Sequence, residues 1–209
     1  VETDTITYVP RIFKMSSDGR KLWSKNLERF HAKSILSMKS GSIVLGGFAV
    51  TDSVQESCSV MVLDSNGKKL WERNYSIPGE IHGLFEVSDN CILIVGAHWS
   101  AEIDSKGYVR WESTVDMNAV IHAAALLPSG DIFYTGMNDG RQFVIKTDPD
   151  NSILFRKEYE ASGKLVKAIQ LISGPGNLVA GLIQYEEYCA IQWINTLTGM
   201  IEKRVDLPA

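Results

Sequence analysis

"DSNGKKLWERNY", residues 64–75, sets a turn signal directly before a run that ends in aromatic residues. Asp64, Ser65 and Asn66 lead into Gly67, the order of a type I turn that closes on a left-handed residue, since Gly and Asn tolerate positive φ. The apolar run "SVMVLD" (59–64) precedes it, so the stretch reads as the loop of an antiparallel hairpin. Four other segments align with it: "SSDGRKLWSKN" (16–26), "DSKGYVRWEST" (104–114), "DPDNSILFRKE" (148–158) and "NTLTGMIEKRV" (195–205). Anchored on Gly19, Gly67, Gly107, Asn151 and Gly199, the spacings are 48, 40, 44 and 48 residues, a repeat period in the mid-forties. The large residue after the turn is Trp23, Trp71 or Trp111, with Phe155 and Ile201 expected in its place in the last two copies; its expected role is to wedge between neighbouring units.

A second pattern lies between these hairpins: "ILSMKSGSIVLGG" (35–47), "LFEVSDNCILIVG" (84–96), "ALLPSGDIFYTG" (125–136) and "LISGPGNLVAG" (171–181). Each reads as strand, polar turn, strand, glycine. The unit is therefore four short antiparallel strands, and no segment shows sustained helical periodicity. Such a unit repeated every 40 to 48 residues predicts an all-β β-propeller of five repeats, a single domain over 1–209. Outer hairpins number five and inner hairpins four, so the N-terminal blade is expected to be incomplete. The expected spans are a half blade at 5–29 and blades at about 33–76, 81–116, 121–160 and 165–207. The missing inner hairpin is expected to come from a partner or from sequence beyond these residues, because a bare sheet edge is adhesive.

Composition narrows the function classes. The 209 residues are 44% hydrophobic and 22% charged, ordinary for a globular chain, with a net charge of −4. Lys and Arg are spread along the chain, which argues against a nucleic-acid partner, and no apolar run is long enough for a membrane-spanning helix. Cys58, Cys91 and Cys189 are too few and too scattered for a disulfide framework or a zinc set and read as small buried apolar groups. There is no G-x-S-x-G, H-E-x-x-H or phosphate-loop motif.

On "VMVLDSNGKKLWERNY" and "LFEVSDNCILIVGAHW" the chain resembles tandem-repeat β-propeller proteins of bacteria and archaea that have no assigned function. The hairpin alone is similar to PQQ-like propeller repeats, closest at Thr198-Gly199. The resemblance implies a propeller fold, assembly or surface roles, and extracytoplasmic placement. Quinone binding is not expected, since no two cysteines are adjacent and the chain is short for that group.

Two groups of residues are candidates for binding. Counting 14 residues back from Gly47, Gly96, Gly136 and Gly181 gives Lys33, His82, His122 and Lys167, an expected ring of basic or titratable groups at one mouth of the channel that suits an anion or small ligand. A shared metal is the weaker version, for want of a third ligand. Just after the same glycines stand Phe48, His98, Trp99, Asn138 and Tyr185, whose flat apolar faces beside amides suit a protein hot spot or a sugar. The expectation is a non-catalytic scaffold or protein-interaction module without cofactor, working through its loops or by self-association at the incomplete blade. The alternative is a carbohydrate- or small-ligand-binding, lectin-like propeller.

Overall fold

A computed structural model describes residues 9–49, 57–76, 80–87, 90–114, 119–160 and 165–208. The expected half blade begins at residue 5, so its first residues lie outside this set. The two-stranded sheet pairs β1 (Arg11–Met15) with β2 (Lys21–Asn26). Four antiparallel meanders follow. Blade 1 holds β3 (Phe30–Ser37), β4 (Ile43–Ala49), β5 (Ser57–Leu63) and β6 (Lys69–Tyr75), and blade 2 holds β7 (Ile81–Glu86), β8 (Ile92–Gly96), β9 (Trp99–Ile103) and β10 (Val109–Thr114). Blade 3 holds β11 (Ala119–Leu126), β12 (Ile132–Asn138), β13 (Arg141–Thr147) and β14 (Ile153–Tyr159), and blade 4 holds β15 (Leu165–Ser173), β16 (Leu178–Tyr185), β17 (Cys189–Asn195) and β18 (Ile201–Leu207). The first strands β3, β7, β11 and β15 stand side by side around the axis. Among the described residues there are thus four blades of four strands and one two-strand sheet, not five full blades.

The repeated turn earns its composition. Asp64 Oδ1 accepts from the N–H groups of Asn66 and Lys68, both at 2.9 Å, and Asp104 Oδ1 accepts from Lys106 and Tyr108 at 2.8 and 2.9 Å. Asp148 and Asn195 hold the same place in blades 3 and 4. In the first copy Ser16 fills it, and Asp18 instead accepts hydrogen bonds from Ser16 Oγ and Arg20 Nε.

Turns also dock onto the outer strand of the preceding sheet. Trp23 Nε1 donates to Ser65 O at 3.1 Å, and one blade later Trp71 Nε1 donates to Ser105 O at 2.9 Å. Lys25 reaches Gly67 O, Arg73 reaches Lys106 O, and Tyr75 Oη donates to Gly107 O at 2.9 Å. The wedge role of the tryptophans is therefore accompanied by a directional bond to the next unit. The register corrects the last copy. Trp23, Trp71 and Phe155 pair across their hairpins with Lys14, Val62 and Lys146, and the matching partner of Trp193 is Lys203, not Ile201. The turn from Asn195 to Met200 has six residues in place of the usual five, the four-residue step from Gly199 leads to Lys203, and the Lys203 ammonium lies 5.0 Å from the centre of the Trp193 ring.

The core is a set of layers between blades rather than one central mass. Val60, Val62 and Tyr75 of blade 1 meet Ile92, Ile94 and Trp99 of blade 2, and similar layers join blades 2 to 3 and 3 to 4. A smaller layer of Leu27, Phe30, Leu45, Met61 and Leu63 seats the two-stranded sheet on blade 1. The ends of this arc are exposed. Counting three residues back from the first residue of each inner turn (Met38, Val87, Leu127, Gly174) gives Ile35, Leu84, Ala124 and Leu171. Leu84, Ala124 and Leu171 are 6–7% exposed beneath the preceding blade, whereas Ile35 is 63% exposed. At the other end Ile172 of β15 is 59% exposed, and alternate residues of β16 and β17 are only half buried.

Gly19 and Gly67 share a φ of +82°, but a Cβ on Gly19 would meet nothing within 4 Å, while one on Gly67 would lie 3.0 to 3.2 Å from the Trp23 ring. Gly19→Ala should cost only the left-handed backbone penalty, about 1 kcal/mol. Gly67→Ala adds displacement of the docked indole and should cost about 2 to 3 kcal/mol in urea unfolding. Equal losses at the two sites would contradict the docking of turn on tryptophan.

Candidate functional site

Three of the four expected channel residues occupy one structural position. Lys33, His82 and His122 each sit in a bulge, where the inner strand slips one residue against its partner between Ala32 and Ser34, Ile81 and Gly83, and Ile121 and Ala123. In blade 4 that bulge holds Ile169, and Lys167 lies two residues earlier. The glycine anchor misleads here. Gly47, Gly96 and Gly136 pair with Ala32, Ile81 and Ile121, but the blade 4 pair is Ala168 with Ile183, so Gly181 is not the equivalent glycine.

The electrostatics follow from burial. His122 Nδ1 accepts the Ala168 N–H at 3.1 Å, so the ring is neutral and ties β11 to β15. Burial, with His82 and Lys167 nearby, holds its pKa down at about 4. Burial also lowers His82, against the opposing pull of Glu80, and His98 lowers it further. The Lys33 ammonium is paired with Glu80 at 3.1 Å. Of the four expected groups, Lys167 alone brings a positive charge without an ion pair among the described residues, which is thin provision for an anion. Below this mouth a cavity of about 170 Å³ is lined by residues of all four inner strands, including Ser34, His82 and Gln170. Among the described residues no group of three or more His, Cys, Asp or Glu is placed to hold a metal.

The second group does not form one face. Phe48 stacks on His31 with ring centres 5.0 Å apart, and His98 Nδ1 donates to Ala119 O at 2.9 Å. Trp99 is 4% exposed and packs in the layer between blades 1 and 2, with Gly96 leaving room for its indole. Tyr185 is 4% exposed; its hydroxyl accepts from Gln192, which in turn accepts from Gln142 of blade 3. Asn138 is half buried and donates to Glu158 at 3.2 Å. Trp99 and Tyr185 therefore serve packing and inter-blade bonding, and neither offers a ring face on which a sugar could lie.

What the residue patterns did not single out is the open side of the two-stranded sheet. Among the described residues β1 pairs only with β2, and beside it lies a cavity of about 230 Å³ whose apolar wall is Ile12, Leu27, Ile35 and Leu45. Phe13 and Met15 of β1 are 57% and 50% exposed. Ile35 carried no sequence signal because its three counterparts look the same and differ only in having a neighbour.

No protein family and no curated protein matches the chain. Solved structures do. The Pan2 WD40 domain of Neurospora crassa aligns with a TM-score of 0.63 at 12% identity, over 86% of this chain and 51% of that one. A streptogramin B lyase aligns at 0.61 and 17%, over 96% and 59%, and the Kuenenia stuttgartiensis hydrazine synthase at 0.61 and 11%, over 80% and 46%. These likenesses establish the class, an all-β propeller. The chain spans about half the length of these three structures, and the narrower likeness to PQQ-type repeats has no family match behind it.

Because folded His122 stays neutral down to about pH 4 and an unfolded histidine takes its proton near 6.5, unfolding takes up a proton between these values. Stability should fall as the pH drops from 6.5 to about 4 and level off below, by about 2 kcal/mol for this partly solvated ring. His122→Gln removes that contribution. Urea melts of both proteins across the window check it, and a stability difference independent of pH would contradict it.

Proposed function

We propose that this chain is a non-catalytic interaction module in which β1 and β2 are the outer half of a fifth blade and the open side of the arc is the binding surface. The observation that carries this is Ile35, 63% exposed where its three counterparts are 6–7% exposed. Burying such a side chain is worth about 1.5 to 3 kcal/mol, so the open side gains stability from any fitting cover. The layered blades hold that surface rigid, as a recognition site requires. The channel supports catalysis poorly. His122 spends its Nδ1 lone pair on the Ala168 N–H, which ties the ring into the fold. Two fold neighbours are named as a lyase and a synthase, yet at 17% and 11% identity they lend this chain a fold and no active-site residue.

An Ile35→Glu, Ile172→Glu variant tests the reading, since both side chains are exposed and their loss leaves the layers intact. The wild type should bind an apolar dye such as ANS, or self-associate with rising concentration in light scattering, and the double variant should lose this with unchanged melting temperature. A wild type that stays at its 23.2 kDa monomer mass and binds no dye would overturn the proposal.

A further inference from the structure

The open side has the chemistry of a strand acceptor. In blade 1, β5 occupies the place of β1, and its inner edge pairs antiparallel with β4, with Leu63, Val62, Met61, Val60 and Ser59 opposite Ile43, Val44, Leu45, Gly46 and Gly47. The hairpin registers match Leu63 with Met15 and Val60 with Ile12, so β1 presents the same edge with no partner among the described residues. Ile12, Leu27, Ile35 and Leu45 wall the cavity that an inner strand would fill, and Arg11 and Lys33 stand at its rim. Residues 10–26 carry five Lys or Arg against one Asp, a local charge of +4 in a chain whose net charge is −4.

We infer that β1 captures an extended segment of a partner polypeptide, which adds to the sheet as an antiparallel strand. This rests on the reading of the open side as a binding surface and names its occupant. The segment carries branched apolar residues opposite Met15, Lys14 and Phe13, small residues opposite Ile12 and Arg11, and carboxylates at its ends. Backbone bonding along the edge supplies affinity, while the cavity and the charge select the side chains. A second copy fits less well. Among the described residues every inner strand is already paired in its own blade, and pairing β1 with β1 would bring together two segments of local charge +4.

The probe is a fluorescein-labelled peptide with the sequence of residues 42–48, flanked by two glutamates at each end, titrated against the full chain by fluorescence polarisation. Saturable binding is expected, weakened about tenfold or more by Ile35→Glu and by Arg11→Glu, with the Arg11→Glu loss recovered when lysines replace the peptide's glutamates. Methylating alternate backbone nitrogens of the peptide should abolish binding for one set and spare the other, because an added strand turns only every second N–H to the edge. Absence of saturable binding, indifference to Ile35→Glu, or insensitivity to which set is methylated would overturn strand capture, as would a stable dimer that protects β1. If dye binding or self-association is still lost in the Ile35→Glu, Ile172→Glu variant, the open side remains a binding surface and only its proposed occupant is wrong.

Discussion

A blade cannot bury both of its faces by itself, and the rest of this structure follows from that constraint. Each four-stranded sheet is apolar on two sides, so its stability comes from the layers it shares with its neighbours. The layers propagate from blade to blade, and at the first two junctions a turn carbonyl receives an indole N–H from the unit before. An arc built this way has two ends, and the ends hold apolar surface that no internal neighbour covers. Ile35 and Ile172 mark them.

The two ends differ in character. At blade 4 the place of the docking tryptophan is taken by Lys203, whose ammonium rests over Trp193, so this face lacks the indole donor that receives a turn elsewhere. Among the described residues the N-terminal sheet is only two strands wide, with an unpaired edge, an apolar hollow and an excess of positive charge. A half-built sheet of this kind offers backbone groups as well as side chains, which is why strand addition suits it better than contact between flat faces.

Much of this architecture could be read from the residues. The Asp-Ser-Asn-Gly turn, its period and the imbalance of five outer against four inner hairpins specified four blades and a remainder, because turn chemistry and alternation are local properties. Where counting failed, it failed on the choice of anchor. Gly181 is not the equivalent of Gly136, so the position assigned to Lys167 belongs to Ile169, and the four-residue step from glycine to aromatic seen in the other copies leads from Gly199 to Lys203, not Ile201. The binding candidates fared worse. Trp99 follows a strand end in sequence and looked like a loop residue, yet β9 begins with it and it is buried in an inter-blade layer. Exposure depends on which copy has a neighbour, and in a repeat protein the copies themselves look alike.

The most direct test of the open edge is amide hydrogen exchange on the isolated chain, read residue by residue. If β1 is free along its inner side, alternate amides of residues 11–15 exchange quickly, while the corresponding amides of β5, β9 and β13, bonded on both sides, stay protected. Uniform protection of β1 at the level of those strands would show that the edge is already covered, and the open side would not be the binding surface.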